Sequence, residues 1–165
     1  MRHRASHPSF KGRTVASFYH RIFAAIDGSA TESAVIERTL QIASANGAEI
    51  LFGHVVDSLP SDMNSTNAKL LAEEEEKLMR ERLAPVFERI EADPSIPEYD
   101  FQLRVGRVAD VLLDDLIEPY EPDLVICGER GYSNFKYAFV GSVSKRIVHD
   151  AKCDVLVVKP KDLQL

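Results

Sequence analysis

The sequence predicts an α/β fold: an open five-stranded parallel sheet of order 3-2-1-4-5, with helices on both faces, Rossmann-like. Three observations predict it. Short apolar runs alternate with helix-period segments in the order βαβαβαβαβ. Most of the runs are apolar on both faces, as strands covered on both sides must be, the one at 99–105 alternating instead. No internal repeat, linker or second domain interrupts the 165-residue chain. Right-handed crossovers leave few topologies for such a chain, and this order is the commonest for five strands.

Each element has its own signal. RIFAAID (21–27) reads as a buried strand ending at Asp27-Gly28-Ser29. Ser29 and Glu32 have capping-box spacing, and Ala34, Ile36, Leu40 and Ala43 carry a helix to Gly47, a natural terminator. AEILFGHVV (48–56) is the second strand, and residues 57–66 form a polar loop. From 67 to about 91 runs the longest helix, with Leu71, Leu78, Met79, Leu83, Val86, Phe87 and Ile90 as its apolar stripe. Pro85 is expected to kink or split it. The run Glu73 to Glu76 reads as a solvated helix face. YDFQLRV (99–105) alternates as a strand with Phe101, Leu103 and Val105 facing one way. Val108, Val111, Leu112 and Leu116 mark a third helix closed by Pro119. DLVICG (123–128) is a buried strand, SVSKRIVHDA (142–151) a helix with Val143, Ile147 and Ala151 on one side, and DVLVV (154–158) the last strand.

Composition narrows the function. A hydrophobic share of 45% against 28% charged is that of a globular domain. No apolar stretch is long enough to span a bilayer. A net charge of −6 argues against a dedicated nucleic-acid binder. That charge is uneven: residues 1–21 hold Arg2, Arg4, Lys11, Arg13 and Arg21 with no acid, so the rest of the chain carries −11. Residues 1–20 are therefore expected to be a basic extension ahead of a single domain at 21–160, with a short tail at 161–165. The leader's apolar residues are too few for a signal peptide. An organelle transit peptide matches its composition, and an unstructured extension or an over-long gene start is the blander alternative. Cys127, inside an apolar run, reads as a small buried hydrophobe, which fits a reducing compartment and a cytoplasmic location.

Ligands of open parallel sheets bind beyond the carboxyl ends of the strands, where the winding reverses, here between the first and fourth strands. The loop after the fourth strand reads Gly128-Glu-Arg-Gly131, nine residues, then Gly141-Ser142. Glycines let main-chain N–H groups approach a ligand, and the fourth helix begins at Gly141-Ser142, with its unbonded amides and dipole aimed at the crevice. Ser142 and Ser144 add hydroxyls. Together these make an anion seat suited to phosphates, the alternative being two ordinary turns. Asp27 faces this loop across the crevice. It would accept a ribose hydroxyl bond or approach a phosphate-bound Mg²⁺, cap the first helix, or do both.

The spacing Gly128-x₂-Gly131-x₉-Gly141-Ser142, together with AAIDGS, GHVVD and the final VLVVK, resembles the ATP-binding branch of the universal stress proteins. The likeness runs from about Arg21 to Lys159. It implies ATP in the crevice, with Mg²⁺ held mainly through the phosphates. Ala25, Ile26 and Asp27 would line the adenosine side, and Val55 would meet adenine through its backbone. Gly128, Arg130 and Gly131 would hold ribose and phosphates, and Gly141, Ser142, Val143 and Ser144 would cradle the phosphate chain. Arg130 reads equally as a solvated loop charge. Asp154 departs from the resemblance, since many members have proline before the last strand. The likeness also implies a homodimer paired antiparallel through Val155 to Val158, an apolar edge that needs covering. The chain's own tail or leader is the alternative cover.

Catalysis has less support. There is no G-x₄-G-K-[ST] lysine, and Asp27 stands without a second acid at the strand ends. Lys136 lies in the nine-residue loop, where a lysine is solvated by default, and neither His54 nor His149 has an evident partner. The expectation is a nucleotide-dependent regulator or sensor with little or no turnover. A slow Mg-dependent ATPase or nucleotide-using enzyme, and a dimeric interaction module without nucleotide, are the alternatives.

Overall fold

The computed structural model describes residues 17–57, 65–129 and 141–159. Its strands are β1 (Arg21–Ala25), β2 (Glu49–Asp57), β3 (Tyr99–Gly106), β4 (Leu124–Gly128) and β5 (Asp154–Val158). All pair in parallel in the order β3-β2-β1-β4-β5, the expected topology. The helices are α1 (Glu32–Asn46), α2 (Ser65–Glu91), α3 and α4 (Ser142–Asp150). α3 is continuous from 108 to 120, with an α-helical turn (Val108–Val111), a π-helical stretch (Leu112–Ile117) and a last turn (Glu118–Tyr120).

Strand alternation divides the core in two. Ile22, Ala24, Ile26, Ile50, Phe52, Phe101, Leu124 and Ile126 meet Val35, Ile36 and Leu40 of α1 and Met79, Leu83 and Ile90 of α2. On the other face Phe23, Leu51, Val55, Val125 and Cys127 meet α3 and Ile147 of α4. The wider π turns bring Leu112, Leu113, Leu116 and Ile117 all into that second core. Gly53 leaves room for Phe23 there, since a Cβ would lie 2.2 Å from its ring.

Several expectations are corrected. α1 begins at Glu32 with Thr31 at its N-cap, so Ser29 does not cap it; Glu32 instead reaches back to the N–H of Gly28, 2.5 Å away. Gly47 does end α1, at φ 67°, its N–H donating to the Ala43 carbonyl. α2 passes through Pro85 without being split. Pro85 and Glu81 are both exposed, so water reaches the carbonyl that the proline leaves without a donor. Leu71 and Leu78 lie off the buried stripe, 40% and 58% exposed. The C-terminal part of α2 does the packing, with Phe87 stacked on Tyr99 at 5.0 Å between centroids. Pro119 does not close α3, which ends one residue later where Glu121 turns left-handed at φ 51°.

Candidate functional site

α1 and α2 cover one face and α3 and α4 the other, so the chain leaves β1 and β4 toward opposite sides and opens a crevice between them. β1 ends at Ala25, paired with Gly53, while β2 runs four residues further beside β3 alone. Ile26 and Asp27 therefore belong to the loop and not to the strand. A cavity of about 250 Å³ occupies the crevice. It is lined by Ala25, Ile26, Asp27 and Val55 on one side and by Gly128, Gly141, Ser142, Val143 and Ser144 on the other. Val108, Leu112, Cys127 and Ile147 complete its apolar floor. Nine of the eleven residues expected at the site thus meet in one cavity. Arg130 and Gly131, the other two, lie outside the described residues, as does Lys136.

The polar end is built from main chain. Ser142, Val143 and Ser144 form the first turn of α4, so their N–H groups have no acceptor within the helix. The positive end of the helix dipole lies at the same place. Gly141 has φ −59° and ψ 158°, a conformation open to any residue, and Gly128 is not among the positive-φ glycines. Glycine serves at these two positions through its missing side chain and not through unusual dihedral angles. The Gly141 N–H donates to the Glu129 carbonyl at 2.7 Å, and the Glu129 N–H to the Val158 carbonyl at 2.8 Å. Ser144 is only 5% exposed, and its hydroxyl donates to the Gly128 carbonyl at 2.6 Å. That proton is therefore committed to joining β4 to α4, and Ser144 faces the cavity as an amide donor more than as a hydroxyl donor.

The opposite wall is held by side chains. Asp27 accepts the Ser29 N–H at 2.9 Å, which folds its own loop and does not cap the helix. Its second oxygen has no hydrogen bond among the described residues. Gly28 follows at φ 74°, a left-handed conformation that favours glycine. Glu32 secures this turn from below: its carboxylate accepts from Gly28 and from the Arg82 guanidinium of α2 at 3.1 Å. Glu32 was legible only as half of a capping box, and Arg82 carried no signal at all. His54 also gains a partner that the sequence did not reveal, because Nδ1 lies 2.8 Å from the Ile26 carbonyl. His149 pairs with Asp150 at 2.5 Å, far from the crevice.

Burial pushes the Cys127 thiol up to about 11, with the Asp27 charge adding to the rise and the Ser144 hydroxyl opposing it. The thiol at the cavity floor is therefore neutral and inert at ordinary pH. Among the described residues no three metal-ligating side chains cluster. One carboxylate, Asp27, faces the cavity, so this donor set fits a divalent cation carried chiefly by phosphates and water. An apolar slot with amides at one end and an acid at the other suits a nucleoside phosphate.

Comparison with known proteins agrees on the fold. A Staphylococcus aureus (strain USA300) protein that carries the universal stress protein name is 28% identical over 146 residues, 88% of this chain and 87% of its own length. The solved structure of UspA from Lactobacillus plantarum matches with a TM-score of 0.67 and 26% identity, over 85% of this chain and 97% of that one. A universal stress protein solved in complex with cAMP matches with a TM-score of 0.59 and 21% identity, over 87% of this chain and 98% of that one. No helix among the described residues is long and apolar enough to cross a membrane. The sequence model of the universal stress protein family covers residues 18–159, nearly all of the chain, and the protein belongs to that family.

Proposed function

We propose that the protein binds ATP, with Mg²⁺, in the β1/β4 crevice and acts as a cytoplasmic, nucleotide-dependent regulator with little or no turnover. One observation carries this reading: Ser142, Val143 and Ser144, whose first-turn amides have no acceptor within α4, line a cavity whose far wall holds Asp27. The amides and the α4 dipole would take the phosphates, and Asp27 the ribose or the phosphate-bound cation. Adenine would sit against Val55, where β2 outruns β1. That a related protein has been solved with cAMP supports a nucleotide over other anions. Arg130 and Gly131 are assigned to the phosphates by family resemblance.

The same reading makes the protein a homodimer through β5. This edge strand keeps Val155, Leu156 and Val157 only half-buried, beside a groove of about 390 Å³ against α1. Pairing with a second copy would bury them.

Calorimetric titration of ATP and Mg²⁺ into the intact protein tests the site, with sedimentation of the same samples testing the dimer. Binding heat is expected for the parent chain and none for a folded Gly131→Val variant. Absence of heat with the parent overturns the reading. ADP release, with Asp27→Asn as the control, tests turnover. A rate of about 1 s⁻¹ or more, lost in that variant, replaces the regulator with a slow ATPase.

A further inference from the structure

A cleft of about 610 Å³ lies at the other end of the sheet, between the C-terminal ends of α3 and α4. Its floor is apolar, with Leu113 and Ile117 from α3. Its rim carries four carboxylates against two cations. Both cations are engaged, Arg146 with Asp150 and Lys152 with Glu118. Asp114 and Glu121 are exposed and have no ion pair among the described residues. α3 ends at Tyr120 and α4 at Asp150, so two sets of terminal carbonyls add negative potential. The cleft is therefore built for cationic groups on an apolar or flexible stem.

We propose that this cleft docks the chain's own basic leader, residues 1–16. The leader holds Arg2, Arg4, Lys11 and Arg13 with no acid, and Phe10 among them. It enters the described structure at the same end of the sheet. The Ser17 hydroxyl donates to the Asn46 carbonyl at 2.7 Å, and the Tyr19 hydroxyl to Asp154 at 3.1 Å. The His20 N–H donates to Asp123 at 2.8 Å. Asp123 and Asp154 each adjoin a cleft residue, Pro122 and Cys153. From that anchor sixteen residues reach up to about 55 Å, against a radius of gyration of about 14 Å for a domain this size. Length is no obstacle. Charge selects the destination: the segment is all-basic, it starts beside α1 at the same end of the sheet, and the unpaired side chains of the cleft on the other face are acids. The proposal is independent of the nucleotide reading, which concerns the opposite end of the strands.

The test uses the full chain. Changing Arg2, Arg4, Lys11 and Arg13 to Gln should move the backbone amide resonances of residues 113–122 and 146–153 and leave those of β1 in place. For the parent, about 1 M salt should move the same amides, because the screening length falls to about 3 Å. Tryptic cleavage after Lys11 and Arg13 should run about three- to tenfold faster when the cleft carries Asp114→Asn and Glu121→Gln, each exposed ion pair being modest. Both variants alter surface positions or the leader alone, and thermal melting verifies that they fold. Unmoved amides with unchanged cleavage overturn the proposal. Protection that grows with protein concentration overturns it too, by assigning the cleft to another copy's leader.

Discussion

The two ends of the sheet solve different problems with different groups. At the carboxyl end a cavity of about 250 Å³ is lined by backbone amides, small residues and one acid. At the amino end a cleft of about 610 Å³ is edged by charged side chains, four acids against two cations. The same rim is laced by further ion pairs and polar contacts. Arg21 bonds Glu49 at 2.5 Å while its guanidinium lies 4.4 Å from the Tyr120 ring centre, and Asp123 accepts from the N–H groups of His20 and Arg21. Cavity size alone would therefore favour the amino end for any ligand. Orientation decides instead: parallel strands point every helix that follows them the same way. The amide ends of α1 and α4 gather at one rim, and the carbonyl ends of α3 and α4 at the other.

The largest expected effect tests whether the carboxyl end works through its main chain. Ser142→Pro removes one N–H from the seat and should leave α4 intact. Proline is tolerated in a first helical turn, and the ψ of 158° at Gly141 suits a residue preceding proline. A hydrogen bond to a charged group is worth about 1.5–3 kcal/mol, so ATP affinity should fall about ten- to hundredfold with the melting temperature almost unchanged. Ser142→Ala keeps the N–H and should bind nearly as the parent does. Equal losses in both variants would assign the grip to the hydroxyl.

This division explains what the sequence disclosed. Strand order, the two-sided burial and most of the cavity were legible because they follow from local pattern: apolar runs, glycine spacing and a helix start. The Glu32–Arg82 pair and the bond of His54 to Ile26 were not, since those partners lie 50 and 28 residues apart along the chain. Only folding brings α2 over the β1 loop, and only the parallel register sets His54 beside Ile26. The amino-end cleft was equally hidden. Its carboxylates, Asp114, Glu118, Glu121 and Asp150, form no pattern along the chain, and only the fold brings two helix ends together around them. Leu71 and Leu78 show the opposite error, a stripe that local periodicity extends beyond the part of α2 that the sheet covers.

Each end also holds one cysteine, which sharpens the comparison in a second, smaller effect. Burial raises both thiols, and Cys127, 2% exposed, rises to about 11. The unfolded chain loses this proton first, near the ordinary value of about 8.5. The stability that the neutral Cys127 thiol contributes is therefore fully present below that pH. It is lost as pH rises through about 11. The loss should approach about 3 kcal/mol in denaturant melts of the parent and be absent from Cys127→Ala. Losing the same stability at high pH in that variant would move the effect to other groups.

The smallest expected effect lies at the amino end. Lys152 and Glu118 pair there in full contact with water, and each raises or lowers the other's ionisation through their hydrogen bond. Exposed pairs are screened by salt and must hold two long side chains still, so most of their attraction is offset. Lys152→Ala should leave both the melting temperature and the ATP affinity unchanged within error. That outcome separates the two ends by mechanism: one dispensable surface cation against one indispensable amide. A weakening of ATP binding in Lys152→Ala would instead show that charge at the far rim reaches the crevice along α4, and the ends could no longer be treated as independent.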